Sequence, residues 1–319
     1  MDRVLKISVV MCTYNGVRHL QEQLQTVLEQ TYPVHEILVQ DDGSTDGTWE
    51  WLGTFAAGHP QVRLLRNDGP HGINPNFFSA MRQATGDYLA PCDQDDLWEP
   101  RKLELQAAAI GDALICSGYS VPFSDEGFPV TRDRRRPNFH LLRVAYIGAL
   151  PGHTFLMRHE LLDFLPDGEQ CPYLYDWQLQ LIAAAAGRIV FVDDVLVHFR
   201  RHAGAATAYK PTEGKLSALR FVATTLFRHP ELQARVRKRF AVVEKMLLPL
   251  PFHTPQRDDC LEMARLQQGR GLLNFGRRIR FFVRHREHLF YGEESRSSFL
   301  TWLRALYFPF ACGWYYRRR

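Results

Sequence analysis

The sequence predicts an α/β fold in which a largely parallel sheet is flanked by helices. Three observations carry this prediction. Apolar, β-branched segments alternate with segments of helical periodicity, the connections between them are short, and polar residues gather where predicted strands end. At 319 residues, with 45% hydrophobic and 23% charged residues, the chain is long enough for one large domain and an accessory region.

The pattern of strand, loop and helix repeats along the first half of the chain. The first strand is predicted in "KISVVMCTYN" and its helix in "VRHLQEQLQTVLEQ"; a second pair follows in "HEILVQDDGSTDG" and "TWEWLGTFAAG", the helix ending at Gly58. A third strand in "VRLLRN" leads through the loop "DGPHGINPN" to a helix in "FFSAMRQATG", and a fourth strand in "DYLAPCDQDD" ends in acidic residues. Farther along, we expect a strand in "ALICSGYSVPFS", a helix in "YDWQLQLIAAAAG" stopped by Gly187, and a strand in "RIVFVDDVLVHFR".

Charge is distributed unevenly between the two parts of the chain. Residues 1–213 carry 18 Lys/Arg against 27 Asp/Glu, a net charge of −9, whereas residues 214–319 carry 21 against 8, a net charge of +13. We therefore expect two regions with different partners, an acidic domain over 1–213 and a helical, basic region over 214–319 that contacts a membrane surface, another molecule or a second subunit. The basic region has no zinc-finger, RRM or basic-zipper signature, so no nucleic-acid partner is expected.

The final stretch, "FLTWLRALYFPFACGWYYRRR", combines aromatic side chains with terminal arginines. This combination is typical of segments in the headgroup region, and Arg304, Pro309 and Gly313 interrupt the apolar run, so a contact with an anionic membrane surface is favoured over a span. One alternative is a helix packed on its own domain. Another is a helix packed on a second subunit, and in that case the protein would be a homo-oligomer. The apolar run "ISVVMC" near the N-terminus is too short for a secretory signal, so we expect a cytoplasmic protein, peripheral on the inner face of the cell membrane.

Three carboxylates follow the fourth predicted strand within four positions, at Asp93, Asp95 and Asp96. Crowded carboxylates repel one another and lose hydration energy unless a cation or a hydrogen-bonded ligand compensates them. Mg²⁺ or Mn²⁺ suits such a set of oxygen ligands. The cluster therefore predicts that a cation or another compensating ligand binds at the end of this strand.

Four motifs now stand in order: "CTYNG", "QDDGSTDG", "DQDD" and "YDW". In this order and spacing, roughly residues 6 to 205 resemble the family 2 glycosyltransferases, which are nucleotide-sugar-dependent enzymes of the GT-A fold. The resemblance implies that Asp95 contacts the metal and that Asp93 lies nearer the ribose or a metal-bound water. It also implies that His202, in "VLVHFRRHAG", touches the metal or the diphosphate, although a structural histidine fits this position equally well.

The resemblance further implies a set of residues that bind the nucleotide-sugar. Asp41 is expected to accept a hydrogen bond from the pyrimidine, and Asp42 either joins it or stabilises the adjacent turn. Gly152 and His153, in "GHTFLMRHELL", are expected near the reaction centre, His153 with a structural role as the alternative. The full set expected to bind the nucleotide-sugar is Thr13, Tyr14, Asn15, Asp41, Asp42, Asp93, Gly152, His153 and Arg200.

An inverting transfer needs one base that takes the proton from the acceptor hydroxyl. Asp176 in "YDW" matches the base position of the family, with Tyr175 where many members have a glutamate. The alternative for Asp176 is a carboxylate favoured at a helix N-terminus by the macrodipole.

The subgroup that "DQDDLW" and the two histidine segments most resemble is the bacterial rhamnosyltransferases that build surface polysaccharides such as O-antigen. The resemblance thus implies transfer of L-rhamnose from dTDP-L-rhamnose to a hydroxyl of a lipid-linked or cell-surface glycan. One alternative is a synthase that loads a sugar onto polyprenyl phosphate, and another is a protein that binds a nucleotide-sugar without turning it over.

Overall fold

The computed structural model describes residues 4–130, 136–148, 150–166, 171–202 and 230–289. Two expected features lie outside the described residues. One is the aromatic and arginine-rich stretch at the C-terminus, and the other is the boundary between the two regions at residue 213. The division into two regions stays a prediction.

Within the described ranges the first part of the chain alternates strands and helices as expected. The strands are β1 (Ile7–Thr13), β2 (Glu36–Asp41), β3 (Val62–Arg66), β4 (Tyr88–Cys92), β5 (Leu97–Trp98), β6 (Ile115–Phe123), β7 (Leu156–Arg158) and β8 (Ile189–Arg200). The helices among them are α1 (Val17–Leu28), α2 (Thr48–Ala57), α3 (Ile73–Gln83), α4 (Lys102–Ala109), α5 (Leu141–Tyr146) and α6 (Tyr175–Ala185), with short 3₁₀ turns at Gly152–Thr154 and His159–Phe164. Four more helices follow: α7 (Pro230–Leu247), α8 (Pro255–Gln268), α9 (Leu272–Arg284) and α10 (Arg286–Leu289).

The eight described strands form one sheet in the order β3-β2-β1-β4-β7-β6-β8-β5. The first four strands in this order are parallel to one another, β7 runs antiparallel to both of its neighbours, and β6 and β8 are again parallel. Register puts Thr13 beside Asp41, so the last residues of β1 and β2 meet at the carboxyl edge. The largely parallel sheet is therefore confirmed, and the GT-A fold class with it.

The central strands are apolar because both of their faces are covered. Val9, Val10 and Met11 of β1 are completely buried, and alternate residues along the strand belong to two different hydrophobic clusters. On one side of the sheet, α1 contributes Leu20 and Leu24, at helical spacing, to one of those clusters.

One helix begins earlier than its sequence indicates. The loop "DGPHGINPN" was expected to extend to the start of "FFSAMRQATG", but α3 already begins at Ile73. Pro75 is compatible with this because it lies in the first turn, where its missing N–H has no partner inside the helix. Gly72 precedes the helix with a φ of 116°, a conformation that favours glycine.

The C-terminal helices share a hydrophobic core with the sheet. Phe240 of α7 and Phe282 of α9 are completely buried, and both pack on the ring of Tyr146 in α5. They belong to the same cluster as Val10 of β1. Across the described ranges, none of the helices combines the length and the apolar composition that crossing a bilayer requires.

Candidate active site

The carboxyl ends of β1 and β2 are joined by a buried hydrogen bond. Thr13 Oγ1 donates to Asp41 Oδ2 over 3.1 Å, and Asp41 also accepts from the backbone N–H groups of Gly43 and Ser44 and from the Ser44 hydroxyl. Four donors therefore hold a completely buried carboxylate in one orientation. The carboxylate lies where a bound ligand would meet the edge of the parallel sheet.

The loop after β1 is fitted to the loops after β2 and β4. Asn15 has a φ of 48°, and its side-chain oxygen accepts from the Thr45 N–H over 2.8 Å. Gln94 accepts from the Tyr14 N–H over 2.9 Å and donates back to the Tyr14 carbonyl over 3.1 Å. A Cβ at Gly16 would overlap the amide of Gln94, so this contact requires a glycine. The side chain of Tyr14 remains exposed beside these bonds.

Asp42 holds the loop after β3. It accepts from the Asn67 side-chain amide over 2.6 Å and from the Gly72 N–H over 2.8 Å, and His71 Nδ1 lies 3.0 Å from it. These contacts support the alternative in which Asp42 stabilises a neighbouring turn.

The carboxylates after β4 face His153, which lies in the short 3₁₀ turn Gly152–Thr154. Its Nδ1 is 3.1 Å from Asp93 Oδ2 and 3.2 Å from Asp96 Oδ2, and its Nε2 is 2.8 Å from the Ser120 hydroxyl. One ring N–H cannot align with both carboxylates, and Oδ2 of Asp96 lacks a well-aligned hydrogen bond although it is fully buried. Among the described residues, Asp93, Asp96 and His153 are the group of three whose possible ligand atoms all lie within 4.8 Å of one another.

Burial and crowding shift the pKa values of these groups. Burial raises the pKa of Asp96 to about 7, although the nearby His153 opposes that shift. Burial also lowers the pKa of His153, but the carboxylates of Asp96 and Asp93 outweigh this effect, so its pKa is raised. The pKa of Asp95 is raised by burial and by the negative charge of Asp93. A bound cation would reduce the electrostatic repulsion among these carboxylates.

Asp95 is paired with a different histidine. His202 Nε2 lies 2.9 Å from Asp95 Oδ2, and the His202 ring is tilted against His19, with 5.1 Å between the ring centroids. The structure thus divides the expected ligand set: Asp93 faces His153, whereas Asp95 faces His202. The metal roles expected for Asp93, Asp95 and His202 stay a prediction.

Arg200, the last residue of β8, fastens the acidic loop. Its Nε donates to the Asp95 carbonyl over 3.0 Å, and its own backbone N–H donates to Asp96 Oδ1 over 3.1 Å. Its two terminal nitrogens pair with Glu22, at 2.6 Å, and with Asp125. These contacts support a positioning role for Arg200, which was expected to bind the nucleotide-sugar.

Asp176 lies in the first turn of α6, and its carboxylate accepts from the Trp177 N–H over 2.6 Å. The preceding Tyr175 is buried, and its ring stacks on Phe77 with 4.3 Å between centroids. Burial is the main cause that raises the pKa of the Tyr175 phenol, and the charges of Asp93 and Asp176 add to it. The phenol therefore lies between the acidic loop and the start of α6.

The segment before α6 is held by Asn74, in the first turn of α3. Asn74 accepts from the Tyr175 N–H over 2.8 Å and donates to the Tyr173 carbonyl over 2.7 Å. Gly152 borders the same phenol. Sequence reasoning assigned no role to Asn74 or Gln94 and counted Asp96 only as a member of the acidic cluster, although Gln94 and Asp96 both lie inside the quoted "DQDD" motif.

The donor set around the acidic loop fits a divalent cation. It combines carboxylate oxygens with imidazole nitrogens, and the Oδ2 atom of Asp96 is buried without a well-aligned partner. The pKa values of two carboxylates, Asp95 and Asp96, are raised, chiefly by burial and further by the negative charges of neighbouring carboxylates, both of which a bound cation would counteract.

The family model named Glycosyl transferase family 2 matches residues 8–165 of the chain. These residues form a family 2 glycosyltransferase domain. The match covers the loops after β1, β2 and β4, which carry three of the four motifs quoted for the resemblance. The family expected from the sequence is therefore confirmed for this domain.

Curated relatives match parts of the chain. An uncharacterized protein of Mycobacterium tuberculosis is 28% identical over 208 residues, which are 62% of this chain and 59% of that protein. The glycosyltransferase GlyG of Streptococcus pneumoniae is 26% identical over 219 residues, 62% of this chain and 71% of GlyG. The UDP-Glc:alpha-D-GlcNAc-diphosphoundecaprenol beta-1,3-glucosyltransferase WfgD of Escherichia coli is 35% identical over 106 residues, 33% of this chain and 41% of WfgD. The chain thus spans about three-fifths of the length of the first of these relatives.

Among solved structures, S. aureus TarS 1-349 in complex with UDP-GlcNAc aligns with 98% of this chain and 92% of its own, at 17% identity and a TM-score of 0.57. At this level of identity, the likeness shows a shared fold.

Proposed function

We propose that the protein is an inverting, metal-dependent glycosyltransferase that moves a sugar from a nucleotide donor to a hydroxyl of a lipid-linked or cell-surface glycan. One observation supports the proposal: at the carboxyl edge of the sheet, a buried and firmly held carboxylate, a crowded carboxylate cluster and an aspartate at a helix start converge. Asp41, Asp93 and Asp176 represent these three parts, and they come from widely separated positions of the sequence.

The nucleoside binds against the ends of β1 and β2. Asp41 is completely buried and its oxygens already accept from four donors, so a pyrimidine N–H would take the place of one of them, such as the hydroxyl of Ser44 or Thr13. Thr13 and Asn15 shape the same edge, and the exposed ring of Tyr14 is available to the base. Four further residues are proposed to act on the donor mainly by positioning the segments around it, because each already holds a loop or turn: Asp42, Gly152, His153 and Arg200.

Asp95, Asp93 and His202 are the proposed ligands of Mg²⁺ or Mn²⁺. The choice between them and the group of Asp93, Asp96 and His153 rests on access: the side chain of Asp93 is 40% exposed and that of Asp95 20%, whereas that of Asp96 is only 4% exposed. Both ring nitrogens of His153 are also engaged. When bound, the cation would neutralise the charge that develops on the departing diphosphate.

Asp176 is the proposed base. The N-terminus of α6 and the Trp177 N–H stabilise its ionised form, which is the form that accepts a proton from the acceptor hydroxyl. As that proton moves to Asp176, the acceptor oxygen attacks the anomeric carbon from the face opposite the diphosphate. The residue before Asp176 is the buried Tyr175, so no second carboxylate is present at that position.

The proposed donor sugar is L-rhamnose, carried by dTDP, and it rests on motif resemblance. The name of WfgD, which acts on a diphosphoundecaprenol-linked sugar, favours a lipid-linked acceptor and a role in polysaccharide synthesis. A cytoplasmic, membrane-peripheral location follows from that acceptor. Loading of a sugar onto polyprenyl phosphate is less favoured because a phosphate oxygen needs little help from a base such as Asp176.

A panel of dTDP-, UDP- and GDP-sugars, each with and without Mn²⁺, tests the proposal. A bound donor stabilises the folded state by RT ln(1 + [L]/Kd), so the true donor should raise the melting temperature most and be hydrolysed slowly. Metal-independent stabilisation by every nucleotide-sugar, without hydrolysis or transfer, would contradict an enzyme and favour a binding protein.

A further inference from the structure

Two neighbouring leucines stand out of the surface at the start of α9. Leu272 is 89% exposed and Leu273 is 85% exposed, more than any other large apolar residue described as exposed. A single exposed leucine needs no explanation, but two in succession at the tip of a helix leave apolar surface in water at a cost. They follow Arg270 and Gly271, which are exposed as well.

An arginine stripe continues from these leucines along the outer face of α9. Arg277, Arg280 and Arg284 lie four, seven and eleven positions after Leu273, which places all of them on one face of the helix, and each is exposed. The sequence of α9, "LLNFGRRIRFFVR", has four arginines and no acidic residue.

The opposite face of α9 is fixed to the protein. Phe281 and Phe282 are buried in the core cluster, and Arg278 is turned inward to Gln267 at 3.3 Å. Because these contacts fix the orientation of α9 about its axis, the leucines and the arginine stripe are exposed together. This face therefore offers apolar side chains beside a row of positive charges.

We propose that α9 docks the protein on the surface of an anionic phospholipid membrane. Leu272 and Leu273 enter the region between headgroups and acyl chains, and the stripe of Arg277, Arg280 and Arg284 lies along the headgroup phosphates. The inference extends the proposed function, on whose lipid-linked acceptor it rests, by assigning the membrane contact to a described surface.

Charge and shape favour a membrane over the other occupants. A second copy packed face to face through a two-fold axis would bring one arginine stripe against the other, and like charges repel. A nucleic acid would satisfy the arginines but would leave both leucines without an apolar partner. A lipid surface satisfies both parts of the patch.

Vesicle co-sedimentation of the full chain tests the docking surface. The probes are phosphatidylcholine vesicles with and without about one-third phosphatidylglycerol, so that anionic charge is the only difference. The Leu272→Ser/Leu273→Ser double variant should bind anionic vesicles at least about tenfold more weakly, and each Arg→Gln change in the stripe should weaken binding about fivefold. Leu248→Ser, which changes a half-exposed leucine in the turn just after α7, is the matched control and should bind as the wild type does.

Unchanged vesicle binding by both the leucine and the arginine variants would overturn the proposal, as would equal loss in the Leu248→Ser control. Preference for a short DNA duplex over the vesicles would also overturn it, and so would an assembly size that depends on α9 in the absence of lipid. Donor hydrolysis should stay at the wild-type rate in all variants. Failure of hydrolysis with vesicle binding intact would therefore contradict the transfer reaction and leave the docking surface standing.

Discussion

Gly152 lies against the phenol of Tyr175, and the two residues fit together because Gly152 has no side chain. A Cβ there would lie 2.7 Å from Cζ of Tyr175 and closer still to its hydroxyl. This contact joins the turn that carries His153 to the helix that carries Asp176, so the two sides of the proposed reaction centre are positioned by one packing interaction.

Gly152→Ala should therefore lower transfer by displacing the turn, the phenol or both. We expect about a tenfold or larger loss of kcat, because small displacements of reacting groups are costly. In a Tyr175→Phe background the added loss should be smaller, since the closest contact has been removed. Gly53→Ala, at a glycine with open space and no positive φ, is the matched control. Equal, additive losses in both backgrounds would contradict the packing argument.

Asp95→Asn should weaken Mn²⁺ binding and nearly abolish turnover while leaving the fold intact, because it removes a proposed metal ligand with little change in volume. The measurement is Mn²⁺ affinity by calorimetry together with the transfer rate. Asp96→Asn should instead affect thermal stability first, since Asp96 is buried and accepts from the Arg200 N–H. Full Mn²⁺ affinity in Asp95→Asn, with loss in His153→Gln, would transfer the ligand role to the buried group of Asp93, Asp96 and His153.

Asp176→Asn should leave donor affinity nearly unchanged and reduce transfer by about 10²-fold or more, the usual contribution of a positioned base. The variant keeps the size of the side chain and an oxygen that can accept from the Trp177 N–H. Asp194→Asn, an exposed aspartate on β8, is the control. A parallel loss of donor affinity and of rate would point to a structural role at the start of α6.

Lys102 gives a prediction about stability and pH. Its ammonium is completely buried, 2.9 Å from the Gln106 side-chain oxygen and 4.0 Å above the ring of Trp98. Burial lowers its pKa from 10.5 to about 7. Between these values the unfolded chain binds one proton more than the folded chain, so this group makes the free energy of unfolding rise with pH above about 7.

Lys102→Met should remove that rise, and unfolding in urea at several pH values between 7 and 9 measures it. Buried thiols such as Cys92, whose pKa burial raises, act in the opposite direction because the unfolded chain loses those protons first. The comparison is therefore the difference between variant and wild type at each pH, with Lys6→Met as an exposed control. A constant difference across the range would contradict the prediction for Lys102.

Local sequence patterns predicted much of this fold because each strand and helix carries its own periodicity. Strand β1 is a nearly continuous apolar run, and α1 shows clear helical spacing. The start of α3 was missed because Pro75 was interpreted as part of a loop. The meeting of Thr13, Asp41 and the acidic loop at one edge followed from the rule that parallel strands end together.

Contacts between distant segments could not be predicted in the same way. Nothing near Arg200 indicates that it pairs with Glu22 and Asp125, since those residues are 178 and 75 positions away. Similarly, the division of the carboxylates between His153 and His202 depends on how two loops meet in space. Spacing identified the acidic cluster, but only tertiary structure shows which carboxylate is accessible and which is buried.

The pairing of β5 with β8 has a consequence for the order in which the protein is assembled during synthesis. Leu97 is in register with His198, about a hundred positions later, and Arg200 ties down the acidic loop just beyond that pair. Strands β1 to β4 can pair as soon as the first hundred residues have left the ribosome, because their partners are near in sequence. The contacts that Arg200 makes with the acidic loop can form only after β8 has been synthesised. A nascent chain halted before residue 200 would thus contain the proposed nucleoside-binding edge nearly complete, beside an acidic loop that lacks its contacts with Arg200, and the proposed metal site would form late in translation.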